Sequence, residues 1–176
     1  MQQTLYHGTE REKALKILKD NKFTSKYKAI HYLGQGVYFY DEPSKAERWI
    51  KNYYKGTSGV ILKSEISVND LDVLDLRKET HRKRAVHIIE DTGRVHIFNP
   101  NSNDDVETNF KKLRCYLFDC ISEEIKCKLI ISFLVINTVL WFLSVPDEKD
   151  LQYCVKDVSI IQETTFYRDI SVRRIV

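Results

Sequence analysis

Between Glu10 and Asn21 the apolar residues Ala14, Ile17 and Leu18 return at helical spacing, with Leu15 beside them. From Gly59 to Val68, apolar and polar residues instead alternate after an opening apolar stretch. The first period is that of an amphipathic helix and the second that of a half-buried strand. The same reading puts a short strand at Leu5–Thr9, immediately before the first helix. A second helix is predicted over Pro43–Tyr54: proline suits the first helical turn, and Ala46, Trp49, Ile50 and Tyr53 follow at i, i+3, i+4 and i+7. Val73–Leu76 predicts another short strand and His81–Asp91 a helix running from basic to acidic. The Asn, Asp, Pro and Ser cluster of Asn99–Asp105 predicts a loop.

Asn109–Ser122 and the uncharged run Leu129–Val145 both read as helical. The run is close to the shortest length that spans a bilayer. Ser132, Asn137, Thr138 and Ser144 interrupt it, and it lacks a dense basic flank, so a buried helix is expected rather than a membrane span. Leu151–Ile161 and Thr164–Val176 are rich in β-branched and aromatic residues and are strand candidates. The expected class is α+β, with strands at both ends, helices between them, and a helical insert over approximately residues 105–145.

Composition narrows this picture. A chain of 176 residues, 43% hydrophobic and 30% charged, is long enough to bury a core and reads as one domain, 1–176. Lys and Arg exceed Asp and Glu only by 28 to 25, too little to mark a nucleic-acid partner by charge alone. Cys115, Cys120, Cys127 and Cys154 show no CxxC spacing and no histidine partners in register, which disfavours zinc and leaves reduced thiols as the expectation. The Met-Gln-Gln-Thr start lacks the basic flank and apolar run of a signal peptide, so a cytoplasmic protein with no membrane partner is expected.

Two short stretches carry candidate chemistry. His7 lies within Leu5-Tyr6-His7-Gly8-Thr9, and Gly34-Gln35-Gly36 precedes Val37-Tyr38-Phe39-Tyr40. The glycines lack the third member of GxGxxG and the strand, loop, helix order of a dinucleotide-binding unit, which excludes a Rossmann reading. Taken singly, such glycines serve a turn and such a histidine a core or edge position.

Taken together, the two stretches, followed by a helix that carries Ser44-Lys45-Ala46 and Trp49, resemble the NAD-binding half of the ADP-ribosyltransferase superfamily. The match is to the branch of the poly(ADP-ribose) polymerases and diphtheria toxin, which bears a His-Tyr-Glu triad. It covers the first third of the chain. It implies a split antiparallel β-sheet fold, NAD as co-substrate, His7 and Tyr38 as the first two triad members, and a nicotinamide pocket completed by an aromatic residue one helix later.

The third triad member belongs on a late strand. Leu151-Gln152-Tyr153-Cys154-Val155 fits the pattern, with Gln152 where the family carries glutamate; Glu163, before Thr164 and Thr165, is the rival. Gln152 is preferred because the residues after it also match. Either the natural protein uses glutamine there or a catalytic glutamate has been replaced.

These residue types suit the chemistry. Cleaving the nicotinamide–ribose bond passes through an oxocarbenium-like sugar, so a catalyst must hold the leaving ring, orient the ribose and stabilise positive charge. Gly8 and Gly36 permit close backbone approach, and Gly8 can pair with a carboxamide. Tyr38 can stack on the pyridinium, with Trp49 or Tyr40 as a wall. His7 can bond a ribose hydroxyl and Thr9 can help hold the diphosphate or adenosine side. Gln152 keeps the hydrogen bond of a glutamate and loses its charge, which implies lowered or altered activity; by the resemblance it also argues against chain-extending transfer, which in the family depends on that carboxylate.

The resemblance therefore implies an NAD-dependent mono-ADP-ribosyltransferase, a microbial toxin or defence effector whose acceptor is a protein or a nucleic acid. The basic stretch Arg77–Arg84 is a candidate phosphate track or, more simply, a solvated helix start. Two other readings stand beside it: an inactive domain that binds NAD or ADP-ribose, and an interaction module whose helical insert docks an antitoxin or other partner protein.

Overall fold

The structure is a computed structural model that describes residues 1–54, 58–133 and 151–171. The chain enters as β1 (Gln2–Glu10) and turns directly into α1 (Arg11–Asp20), which ends where Asn21 adopts a left-handed conformation at φ 45°. A long connection leads to β2 (Val37–Tyr40), α2 (Pro43–Tyr53) and β3 (Gly59–Ser67). Then come β4 (Val73–Asp75), α3 (Glu79–Thr92), the single turn α4 (Arg94–Ile97) and α5 (Val106–Ile125). The strands β5 (Leu129–Phe133), β6 (Leu151–Val155) and β7 (Ile161–Ile170) complete the order.

The architecture is mixed α and β. Among the described residues, seven strands form one sheet in the order β4-β5-β6-β2-β1-β3-β7, with only β4 and β5 running parallel to each other. The amphipathic patterns at either end of β2 form as expected. In α1, Ala14 and Ile17 are buried while Leu15 stays 59% exposed, and α2 begins at Pro43 and buries Ala46 and Ile50.

The expected helical insert is corrected. Among the described residues its first part, α5, is helical, whereas Leu129–Phe133, the start of the apolar run, is strand β5, paired to β4 on one side and β6 on the other. A strand flanked on both edges and covered on both faces is apolar at every position, which erases the alternation that would mark it. The rest of that run lies outside the described residues. The expected strand Leu151–Ile161 is also shorter: it ends at Val155, and a 3₁₀ turn at Val158–Ile160, entered through a hydrogen bond from the Ser159 N–H to Asp157, precedes β7.

The core has two sides. On one face Leu5, Phe39, Leu62, Ile131 and Tyr153 pack with Ala14 and Ile17 of α1 and with Phe23. On the other, Ile130 and Cys154 lie under Ala85 of α3 and Phe118 and Ile121 of α5, while Tyr40 and Ile61 lie under Ala46 and Ile50 of α2. Each of the large apolar side chains in these layers contributes roughly 1.5–3 kcal/mol by leaving water.

Within the sheet one junction is weak. Every residue of β1 from Gln2 to Glu10 is paired with β3, and β2 is paired with β6 from Val37 to Tyr40. Between β1 and β2 the register holds only Tyr6 opposite Tyr40. The sheet is thus two ladders that touch at one point and part beside His7, Gly8 and Thr9.

Candidate functional site

His7 sits where the two ladders part. Its Nδ1 lies 2.8 Å from the carbonyl oxygen of Tyr38, a bond that crosses the seam. A carbonyl only accepts, so Nδ1 carries the proton, and a neutral ring then presents Nε2 as an acceptor. Burial holds the His7 pKa below its ordinary value, with the positive charge of Lys13 acting in the same direction, and the neutral form prevails near pH 7. The rings of Phe23 and Phe39, each 5.4 Å away, fix the imidazole.

A cleft of about 190 Å³ opens at this point between β1, α1 and the start of β2, lined by His7, Thr9, Phe23, Val37 and three lysines, Lys13, Lys16 and Lys22. Lys13 is paired with Glu10 at 2.7 Å, and Lys16 and Lys22 have no ion-pair partner among the described residues. Asp20 is the acidic residue in the lining. The cleft is smaller than the ~300–1,000 Å³ usual for a whole small-molecule ligand. Its charge favours an anionic group.

On α2, on the other face of the sheet from the cleft, stands an aromatic wall that meets the cleft through Lys13. Trp49 stacks on Tyr53 at 4.7 Å with the rings 10° from parallel, Tyr54 meets Trp49 edge-on at 5.3 Å, and the Lys13 ammonium lies 6.0 Å from the Tyr54 ring. Gly8 lets α2 close onto β1, since a Cβ there would stand 2.9 Å from both the Ala46 carbonyl oxygen and Ile50 Cγ1.

Tyr38 plays a different geometric part. Its hydroxyl donates to the Gly34 carbonyl and accepts from the Leu33 N–H, both at 2.7 Å, so it ties down the glycine loop. Burial raises its pKa well above the phenolic value and keeps the proton on. Gly34 is left-handed at φ 76°, a conformation glycine adopts without strain, and the Gly36 backbone passes so close to β6 that a Cβ would fall 2.5 Å from Cys154 Sγ.

Gln152 is buried on β6 directly opposite Tyr40, and its Nε2 reaches the Tyr40 hydroxyl at 3.5 Å. Its Oε1 is enclosed and has no hydrogen-bond partner among the described residues. An acceptor left this way costs about 1–3 kcal/mol. Glu163, by contrast, is on β7, the edge strand of the described sheet, in register with Glu65 of β3.

The structure thus gathers His7, Gly8 and Thr9 along one side of the seam and Tyr38, Tyr40 and Gln152 along the other. By alternation the ring of His7 shares a face with Phe39, whereas Tyr38, Tyr40 and Gln152 share the opposite one, so the two groups meet only through the gap. The three lysines escape a reading of the sequence because Lys13 and Lys16 on α1, and Lys22 just after it, look like ordinary solvated charges. Their one signal is that they follow directly on the strand of His7.

The basic stretch after β4 is largely consumed locally. Arg77 makes a two-point pair with Asp75 at 2.8 Å to each oxygen, Arg82 donates to the carbonyls of Leu76 and Arg77, and Lys83 pairs with Glu79. Among the described residues no helix is long and apolar enough to cross a membrane.

No family model matches the chain. A stretch of 84 residues, 45% of the chain, is 34% identical to the "Uncharacterized protein MJ0359" of Methanocaldococcus jannaschii. The chain covers 39% of that relative's length, and the relative's name states no activity.

Proposed function

We propose that this chain is an NAD-dependent mono-ADP-ribosyltransferase of the His-Tyr-Glu type, a toxin or defence effector with a protein or nucleic-acid acceptor and glutamine at the third position. The observation that carries the reading is the seam: a sheet joined at one register pair, with the neutral His7 and a lysine-lined cleft where it opens. A mostly antiparallel sheet divided in this way supports the split fold that the sequence resemblance implies.

The residues suit NAD. Lys16 and Lys22 would face the diphosphate, His7 Nε2 would accept from a ribose hydroxyl, and the aromatic wall around Trp49 would border the nicotinamide. The unpartnered Oε1 of Gln152 is an acceptor for a sugar hydroxyl that passes the gap. Because the cleft alone is too small for the dinucleotide, the ligand spans the seam.

The work of the protein in this scheme is positioning. Gln152 orients the ribose but supplies no negative charge to a sugar that turns positive, so turnover is slow compared with a carboxylate in its place. That feature also favours the second reading, a domain that binds NAD or ADP-ribose without cleaving it. The exposed Ile97, Val106 and Phe110 on α4 and α5 are the surface on which a partner protein would dock.

Calorimetric titration of NAD tests the reading. Binding at millimolar or tighter affinity that weakens in the Lys16→Glu, Lys22→Glu double variant is expected. No heat from NAD, nicotinamide or ADP-ribose removes the proposal.

A further inference from the structure

A second electropositive site lies on the opposite side of the sheet from the lysine cleft. Arg114, on α5, is half-buried and lies with its guanidinium carbon 4.4 Å from the centre of the Tyr32 ring. Its Nε is enclosed and without a hydrogen-bond partner, and no carboxylate is paired with it among the described residues. Leaving a desolvated guanidinium unpaired is costly, and proteins do so where an anion from outside completes the pair.

The surroundings point the same way. Tyr32 is held in place by donating to the Phe133 carbonyl at 3.0 Å, at the end of β5. One residue earlier, Ser132 is in register with Gln152. His31, next to Tyr32, has an enclosed Nδ1 with no partner among the described residues and meets the Tyr38 ring edge-on at 5.5 Å. Burial lowers the His31 pKa, as do the charges of Lys28 and Lys156, while Asp119 and a hydrogen bond to the Gly34 backbone carbonyl oppose them. The neutral ring therefore donates to that carbonyl through its other nitrogen, and Nδ1 is an acceptor. Among the described residues Arg114 thus brings one unsatisfied N–H donor to the face that carries Tyr38 and Gln152.

We propose that Arg114, stacked on Tyr32, forms an oxyanion site that takes a phosphate group of the acceptor molecule. A planar guanidinium backed by an aromatic ring presents a fork suited to two oxygens of one group. The acceptor role rests on the transferase reading given above; the oxyanion site itself does not. In that scheme the dinucleotide's diphosphate lies on the α1 side of the seam and the acceptor's anionic group on the α5 side, with Gln152 near the second.

Nitrogen-15 NMR of the arginine Nε–H groups tests this directly, with inorganic phosphate as the probe and acetate as the comparison. Phosphate should shift the Arg114 signal saturably, and acetate should do so more weakly. Arg114→Gln should weaken that phosphate binding roughly tenfold or more, with Arg114→Lys in between, while NAD affinity remains. Since the main readout is on the unmodified protein, it does not depend on a variant folding. An Arg114 signal that stays fixed while phosphate disturbs only the Lys16 and Lys22 cleft overturns the site. An equal response to acetate overturns its assignment to phosphate. A shift at Arg114 in a chain with no NAD affinity keeps the oxyanion site and removes its acceptor role.

Discussion

The imidazole of His7 donates to the carbonyl of Tyr38 across the one place where the sheet is almost unpaired. A side chain thereby replaces the backbone bond that a continuous ladder would make, and its second nitrogen is left to accept. The same bond fixes the tautomer.

This arrangement has a pH signature. The pKa values of His7, His31 and His81 are all lowered from 6.5, mainly by burial, so the unfolded chain takes up protons that the folded chain resists. Their contribution to stability is complete above pH 6.5 and is lost as pH falls through the lowered values. Urea midpoints measured between pH 8 and pH 5 should fall on the acid side, and His7→Gln should flatten part of that fall. An unchanged slope in the variant would place the imidazole outside the buried seam.

Gly8 is a packing position before it is a chemical one. The Cβ of an alanine there meets the Ala46 carbonyl oxygen at 2.9 Å, and a backbone oxygen yields less easily than a side chain. Gly8→Ala should therefore cost about 1–3 kcal/mol in a urea melt. Gly93→Ala is the informative contrast: its Cβ would meet nothing within 4 Å, so the φ of 58° alone sets its penalty. That penalty should be roughly 1–2 kcal/mol.

Removing the Tyr38 hydroxyl should loosen the glycine loop. Tyr38→Phe leaves the Leu33 N–H and the Gly34 carbonyl without their partner, a loss of about 1–3 kcal/mol by denaturation. Amide exchange at Leu33 should speed up in step. Exchange unchanged from the parent would mean that another group holds the loop.

Much of the local structure is legible in the sequence because it is amphipathic. Ala14 and Ile17, and Ala46 and Ile50, reveal their helices by spacing alone, and His7 and Gly8 stand out through the stretch in which they sit. Leu129–Phe133 is not legible, because a central strand buried on both faces has the same apolar run as a buried helix. Nor are the partners of Arg114: that residue looks like one more charge on α5 until the fold brings Tyr32 across more than eighty residues to cover it. The cleft lysines are hidden for the opposite reason, since exposed lysine on a helix, or just past its end as Lys22 is, is the common case.

Release of nicotinamide from NAD, followed for the chain and for Gln152→Glu, tests the central claim most directly. A carboxylate at 152 would lie beside Tyr40 in a buried position, where desolvation raises its pKa. The variant should therefore release nicotinamide faster than the parent, and its rate should fall as the pH drops through that raised pKa while the parent's rate shows no such step. If neither protein binds NAD or releases nicotinamide at millimolar NAD, with the variant folded, the seam is not a site for NAD and the account is wrong.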